Sequence, residues 1–550
     1  MQKISGNIAD LVQKTLFYGN LLLENGRVVN TEILEGVPRA GAPFIIPGFT
    51  DAHVHIESSL LPPSEFARMA VLHGTVATVS DPHEIANVCG MDGVDFMIQN
   101  GKTVPFKFYF GAPSCVPATK FETAGAVITT ADIKKLMYQD DIHYLSEMMN
   151  WPGVLNDEAE VMEKIAVAQA AGKPIDGHAP GLMGENAIKY IQAGISTDHE
   201  CFTAEEALHK LQNGMKILIR EGSAARNFDA LIGLLPEWHE QIMFCSDDKH
   251  PDSLLDGHIN KLCARAVEKG MDIFHVLQAA CANPVRHYNL NVGLLQPGDP
   301  ADFILLKDLK RFDVLETWID GEKMAARNQS LIERSEYKPI NNFGIRNFAR
   351  ENLQFPVDKF GDEENMEQVY VIEALDGQLI TNKRIHPITD FHIVDRCLES
   401  NIRKDLLKIV VVNRYNPAPV AKSFINGFGL KQGALAGSVA HDSHNIVAVG
   451  VDDESLFSAI SAVIEQKGGL SAACGKQVHV LPLPIAGLMS NEDAWEVAEN
   501  YTALDQFTRD QLGSTLASPF MTLSFMALLV IPHLKLSDSG LFDGDEFRLI

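Results

Sequence analysis

"IIPGFTDAHVHIESS" (residues 45–59) carries an apolar pair into a Pro-Gly step and then sets His53 and His55 two positions apart behind Asp51. Side chains alternate along an extended strand, so residues i and i+2 point the same way and both imidazoles can face one opening. An H-x-H pair of this kind is either packing at an ordinary strand rim or one side of a metal site. What closes the later strands decides between the two.

Seven further apolar runs follow, each ending in a polar cluster: "TVATVSDPHE" (75–84), "FKFYFGAPS" (106–114), "HYLSEMMN" (143–150), "KPIDGHAPG" (173–181), "ISTDHE" (195–200), "KILIREG" (216–222) and "QIMFCSDD" (241–248). Helical stretches such as "DEAEVMEKIAVAQAAG" (157–172) and "LCARAVEKG" (262–270) separate several of them, the first ending on a glycine. Eight alternating units predict an α/β fold, a (β/α)8 TIM-like barrel over 48–294, whose active residues come from the C-terminal ends of strands. Two distant hairpin signals, Asn25-Gly26 and Asp320-Gly321, predict a small β-sandwich domain built from both flanks, 1–47 and 295–340. Beyond residue 340 the chain turns polar and irregular, and a second strand-and-helix alternation starts at "VYVIEAL" (369–375); an additional C-terminal α/β domain is expected over 341–550. "GFGLKQG" (427–433) lacks the spacing of a dinucleotide loop and reads as a glycine-rich turn.

The chain has 550 residues, 46% of them apolar, enough for several cores. Its formal charge of −26, from 72 acidic and 46 basic residues, would repel a nucleic-acid backbone or an anionic lipid surface, so neither partner is expected. Eight cysteines without a C-x-x-C pair suit reduced thiols in a cytoplasm. The first twenty residues have no continuous apolar core of a signal peptide, and "FMTLSFMALLVI" (520–531) is too short and interrupted to span a bilayer.

Single histidines close two later runs, His178 in "IDGHAPG" and His199 in "STDHE", and carboxylates close two others, Glu147 and Asp247. Each of these histidines, taken singly, is more readily a hydrogen-bonded core or rim residue than a ligand. Together with His53 and His55 they give four imidazoles and two carboxylates at the ends of strands 1, 4, 5, 6 and 8. Nitrogen and oxygen donors without a thiolate favour Zn, Mn or Fe(II), and six ligands exceed what one catalytic ion with an open position needs. Two ions about 3.5–4 Å apart, bridged by a carboxylate, fit better. Competing motifs fail: His83 and His199 both lack the second histidine of H-E-x-x-H, and no P-C-x-x-C follows the His55-Ile56-Glu57 step.

The order of these elements, closed by "ANPVRHYNLNVGLLQPGDPADFILL" (282–306), resembles the metal-dependent amidohydrolase superfamily. "HVHIESS", "SDPHEIANV", "DGHAPGL", "STDHE" and "FCSDD", with "FMTLSFMALLVIPHLKLSDSGLFD" (520–543), resemble the bacterial adenine deaminases within it. The resemblance covers nearly the whole chain. It implies conversion of adenine and water to hypoxanthine and ammonia, with a metal-bound water attacking C6. Its implied cofactors are two divalent ions, manganese first and Fe(II) or Zn as alternatives, bridged by Glu147 in place of the carboxylated lysine of many relatives. Asp247 would move the proton of the attacking water, and Glu84, through a raised pKa, is a candidate donor to N1, with His83 beside it as a substrate contact. A helix-capping role for Glu84 is the competing reading. A homo-oligomer in the cytoplasm is expected. A dihydroorotase-like cyclic-amide hydrolase and a scaffold without chemistry are the alternatives.

Overall fold

The computed structural model describes residues 1–345, 347–357 and 368–550. The decisive stretch forms a strand, Phe49–His55, buried along its whole length, as a parallel strand covered on both faces must be. Parallel neighbours continue from it through Thr75–Ser80, Lys107–Ala112, Ile142–Met148 and Ile175–Gly177. A second parallel arc holds Thr197–Asp198, Lys216–Arg220 and Ile242–Cys245. The last run joins the two arcs, because its continuation Asp247–Asp248 pairs with Val54 and His55 of the first strand. The other seam is bridged by Ser196 N, which donates to Ile175 O at 2.9 Å. The eight runs thus wrap into a TIM-like barrel, and the ends of all eight face one mouth.

Strands from both flanks share one eight-stranded sheet, in which Phe44–Pro47 lies between Gln2–Asp10 and Phe303–Leu306. Both hairpin turns place their two central residues at positive φ, 50° and 75° at Asn25-Gly26 and 48° and 77° at Asp320-Gly321, the backbone that a tight two-residue hairpin requires.

The C-terminal part differs from an alternating strand–helix layer. Its eight-stranded sheet has one parallel pair, Gln368–Ala374 with Ala421–Asn426, and is otherwise antiparallel. The cause of the difference is burial on both faces. In Leu407–Val412 ("LKIVVV") Val410 and Val412 pack with the helix Asp453–Glu465, while Ile409 and Val411 face the cluster shared with the barrel. A strand covered twice reads as a continuous apolar run whichever way its neighbours point. The turn at 427–433 binds a carboxylate of its own chain: Gly427 N and Gly429 N donate to Asp405 at 2.7 and 2.9 Å.

This sheet is docked on the barrel by buried polar contacts as well as by apolar packing. His250 Nδ1 and Tyr501 Oη lie 2.6 Å apart, Ser490 N donates to Leu60 O at 2.8 Å, and Ala494 N donates to Glu65 Oε2 at 3.0 Å. Since one continuous apolar cluster runs through both parts, a fragment ending near residue 340 should expose much of it and accumulate as insoluble or unfolded protein without activity. Recovery of a soluble, cooperatively melting, active 1–340 fragment would show that the barrel does not need its cover.

Candidate active site

Each of the eight side chains singled out in the sequence reaches the barrel mouth. His53 and His55 leave the first strand together, their Nε2 atoms 3.1 Å apart. Asp247 Oδ1 faces both, at 3.6 and 3.4 Å. Glu147, from the fourth strand, lies at the centre: Oε1 is 3.4 Å from His55 Nε2, and Oε2 is 2.8 Å from His178 Nδ1 and 3.2 Å from His199 Nε2. The rings of His53 and His199 stack with centroids 4.1 Å apart. His83 and Glu84 begin the helix His83–Gly101 beside them, with His83 Nδ1 3.6 Å from Glu147 Oε1.

The donor set fits divalent cations. Imidazole nitrogens and carboxylate oxygens of several strands converge within ligand range of one another, all buried, in groups such as His53–His55–Asp247 and His53–Glu147–His199. Buried His178 Nε2 and His53 Nδ1 have no hydrogen-bond partner, so polar capacity is left in the interior. No thiol belongs to these groups, which matches borderline or hard ions.

Glu84 departs from its expected behaviour. It does not cap its own helix; Asp81 Oδ1 accepts from His83 N and Glu57 Oε1 accepts from Ile85 N. Nor is it a neutral acid. Burial would raise its pKa, but His441, His83 and His444 surround the carboxyl and hold it well below the usual range. His441 Nδ1 and His444 Nε2 each hydrogen-bond one of its two oxygens.

The register at the eighth strand also differs from simple alternation. Asp247 adopts a left-handed backbone, φ 55°, so the strand breaks there and Asp248 reaches the same cavity instead of turning away. Asp248 accepts from Ser58 Oγ at 2.5 Å. Burial and then the Asp247 charge raise its pKa. Burial opposes ionisation at Asp247 as well, but Arg220 overrides it and keeps that carboxyl well below the usual range.

Arg220 was not apparent as a site residue. It closes the seventh strand at 2% exposure, forks onto both oxygens of Glu200, with Nη2 2.7 Å from Oε2, and reaches Asp247 Oδ2 at 2.6 Å. A lone basic residue ending the apolar run "KILIR" was the available signal. His441, Asp442 and His444 come from "AHDSH" (440–444), a polar cluster between two apolar runs more than 350 residues from the barrel residues they meet. His441 and Asp442, with Leu379, Phe525 and Leu528, cover the mouth.

Comparison with known proteins agrees with this two-part site. Residues 44–324 match the amidohydrolase family, and residues 378–548 match the adenine deaminase C-terminal domain. The chain is 51% identical to an adenine deaminase of Sulfurovum sp. over 550 residues, covering 100% of this chain and 99% of that protein. The chain belongs to the adenine deaminase family. Identity is 50% to a member of this family from Salinibacter ruber, over 100% of this chain and 98% of that protein, and 49% to one from Methanosarcina acetivorans, over 100% and 99%.

Because Arg220 neutralises two buried carboxylates, replacing it by methionine leaves Glu200 and Asp247 without a counter-ion. Unfolding of the metal-free chain in urea should show a loss of about 3–5 kcal/mol, and a variant within 1 kcal/mol of the parent would contradict the structural weight given to this triad.

Proposed function

We propose that this chain hydrolyses the C6–N bond of adenine to give hypoxanthine and ammonia. The observation that carries the reading is the match of both parts of the chain, barrel and cover, to adenine deaminases along their whole length. The site supports it chemically. His53, His55, Glu147, His178, His199 and Asp247 would hold two divalent ions, manganese in the first instance. Ions held there would supply Lewis acidity and acidify water at the site.

The protein's own groups then divide the work. Asp247 presents Oδ1 to the cavity while Arg220 fixes Oδ2, so a single carboxylate oxygen is aimed at the attacking water and can take its proton and pass it to the leaving amine. Attack at C6 loads negative charge onto N1. The neighbouring pair His83 and Glu84 would meet that nitrogen, the mobile proton residing on an imidazole because Glu84 is held ionised. Leu379, Phe525 and Leu528 exclude bulk water above the ring, which strengthens each of these interactions.

A dihydroorotase-like enzyme would need a cation for the substrate carboxylate. No lysine or arginine is among the described residues lining the cavity, and the guanidinium of Arg220, beneath it, is occupied by Glu200 and Asp247. The same reading assigns 48–294 to the metal-binding barrel, 1–47 with 295–340 to the flanking β-domain and 341–550 to the cover. It places the enzyme in the cytoplasm, supported by eight free cysteines, and in a homo-oligomer, supported by the edge strand Arg27–Glu35, where Ile33 is 63% exposed. No helix among the described residues is long and apolar enough to cross a membrane.

Ammonia release from adenine by manganese-loaded protein, absent from chelator-stripped protein and absent with dihydroorotate, is the expected result. Equal release from dihydroorotate would reverse the assignment. His55→Ala or His178→Ala should lower bound metal to one ion per chain or none, and Glu147→Gln should weaken the pair; metal analysis showing two ions and normal turnover in all three would remove these ligands from the proposal. Asp247→Asn should lower turnover by about 10²-fold or more while metal content falls less. A nearly silent Asp247→Asn would transfer the proton-shuttle role to Asp248.

A further inference from the structure

The loops that carry His178 and His199 into the mouth are tied together from behind by one buried lysine. Lys210 lies in the helix Ala204–Gln212 at 1% exposure. Its Nζ donates to Ala179 O at 2.7 Å, to Glu206 Oε1 at 2.7 Å and to Asp198 Oδ2, so every proton of the ammonium is used. Burial opposes the charge, but Asp198 overrides it and holds the pKa above the ordinary lysine value.

The two carboxylates pass this anchor on to the backbone. Asp198 Oδ1 accepts from Ala179 N at 3.3 Å and from Glu200 N at 3.0 Å, while Glu206 accepts from Gly181 N at 2.9 Å and Phe202 N at 3.2 Å. Ala179 follows His178, and Asp198 and Glu200 stand on either side of His199. The peptide groups beside both imidazoles are thereby fixed to each other and to one helix. Tyr190 holds His178 from its other side, its Oη accepting from His178 N at 3.1 Å and donating to Met148 O at 2.7 Å. Among the described residues, no side-chain hydrogen bond of Lys210, Asp198 or Glu206 reaches His53, His55 or Asp247.

We propose that Lys210 is a positioning residue for one side of the metal site: through Asp198 and Glu206 it sets His178 and His199 for a divalent ion, independently of the side made by His53, His55 and Asp247. The proposal rests on the reading of these histidines as ligands. Their rings cross at 74° with centroids 5.4 Å apart, and Glu147 Oε2 lies between them, 2.8 Å from His178 Nδ1 and 3.2 Å from His199 Nε2. Two imidazoles on separate loops keep such a convergence only if the loops cannot shift against each other. A buried ion pair adds little stability over apolar side chains of the same volume, so an ammonium with acceptors on both loops points to placement of the ligands. Groups behind metal ligands that fix their orientation contribute strongly to metal affinity.

Full-length protein and Lys210→Met are loaded with manganese(II) and dialysed against graded, buffered manganese; bound metal is counted, and circular dichroism with thermal melting reports the fold. The parent should hold two ions. In Lys210→Met one of them should bind about 10-fold or more weakly, with the other little changed. Anomalous scattering at the manganese edge should show the depleted ion beside His178 and His199, and the full one beside His53, His55 and Asp247. Turnover of adenine should fall in kcat and return as manganese is raised. A folded variant that holds both ions at parental affinity, one that weakens both alike, or depletion on the His53 side would overturn the proposal. If Lys210→Met fails to fold, Asp198→Asn takes its place: the amide oxygen can still accept from Ala179 and Glu200, but the anion facing the ammonium is gone, so the same selective weakening is expected and an unaltered pair of ions would overturn the proposal. A parent that holds fewer than two ions would sink the two-ion reading first, before any variant is compared, and the proposal with it.

Discussion

Burial of charge at the barrel mouth is the constraint on which the rest of this structure depends. Glu147, Glu200 and Asp247 are nearly out of contact with water, as are the imidazoles around them. A carboxylate taken out of water is costly unless cations and hydrogen bonds replace its hydration. Arg220 supplies a fixed cation for two of the three, and His178 and His199 hydrogen-bond the third. The arrangement is stable only as a set, so the strand ends must hold their positions to a fraction of an ångström. A parallel barrel, with the fully buried first strand joining its two arcs, provides that rigidity.

Keeping the set dry is the task of the C-terminal sheet. Its central strand points alternate residues to two clusters, one under its own helix and one shared with the barrel, so the cover cannot lift away without exposing apolar surface on both partners. Low dielectric at the mouth follows from that packing, and it is what gives the imidazole–carboxylate contacts their strength. The cover is therefore part of the site's electrostatics as well as its roof.

Much of this was legible in the sequence, and the parts that were not share a physical cause. Period-two alternation identified His53 and His55 as same-face residues, and the histidines and carboxylates at later strand ends are found in the same cavity. Alternation does not extend to Asp248, because a left-handed residue at Asp247 breaks the strand and no local signal marks it. Glu84 was misjudged because its environment comes from His441 and His444, more than 350 positions away. The C-terminal part reads as a strand-and-helix alternation, but the partners of its strands, mostly antiparallel, are not set by the apolar runs themselves. Local patterning reports the period of a segment; it carries no record of which distant segment will face it.

The same limit explains why adenine could not be read from the barrel alone. Histidines and carboxylates on strand ends describe how a polar C–N bond can be attacked, and many reactions use that description. What narrows it to adenine is the match of the whole chain, barrel and cover together, to the adenine deaminases. The two halves meet at Glu84, whose oxygens hydrogen-bond His441 and His444 of the cover while His83 of the barrel lies 3.4 Å from one of them. A carboxylate shared in this way makes the position of the cover and the charge beside N1 one variable. A shift of the cover would then disturb the groups proposed to handle the proton at N1, so the packing of the C-terminal part bears on the chemistry at the barrel mouth.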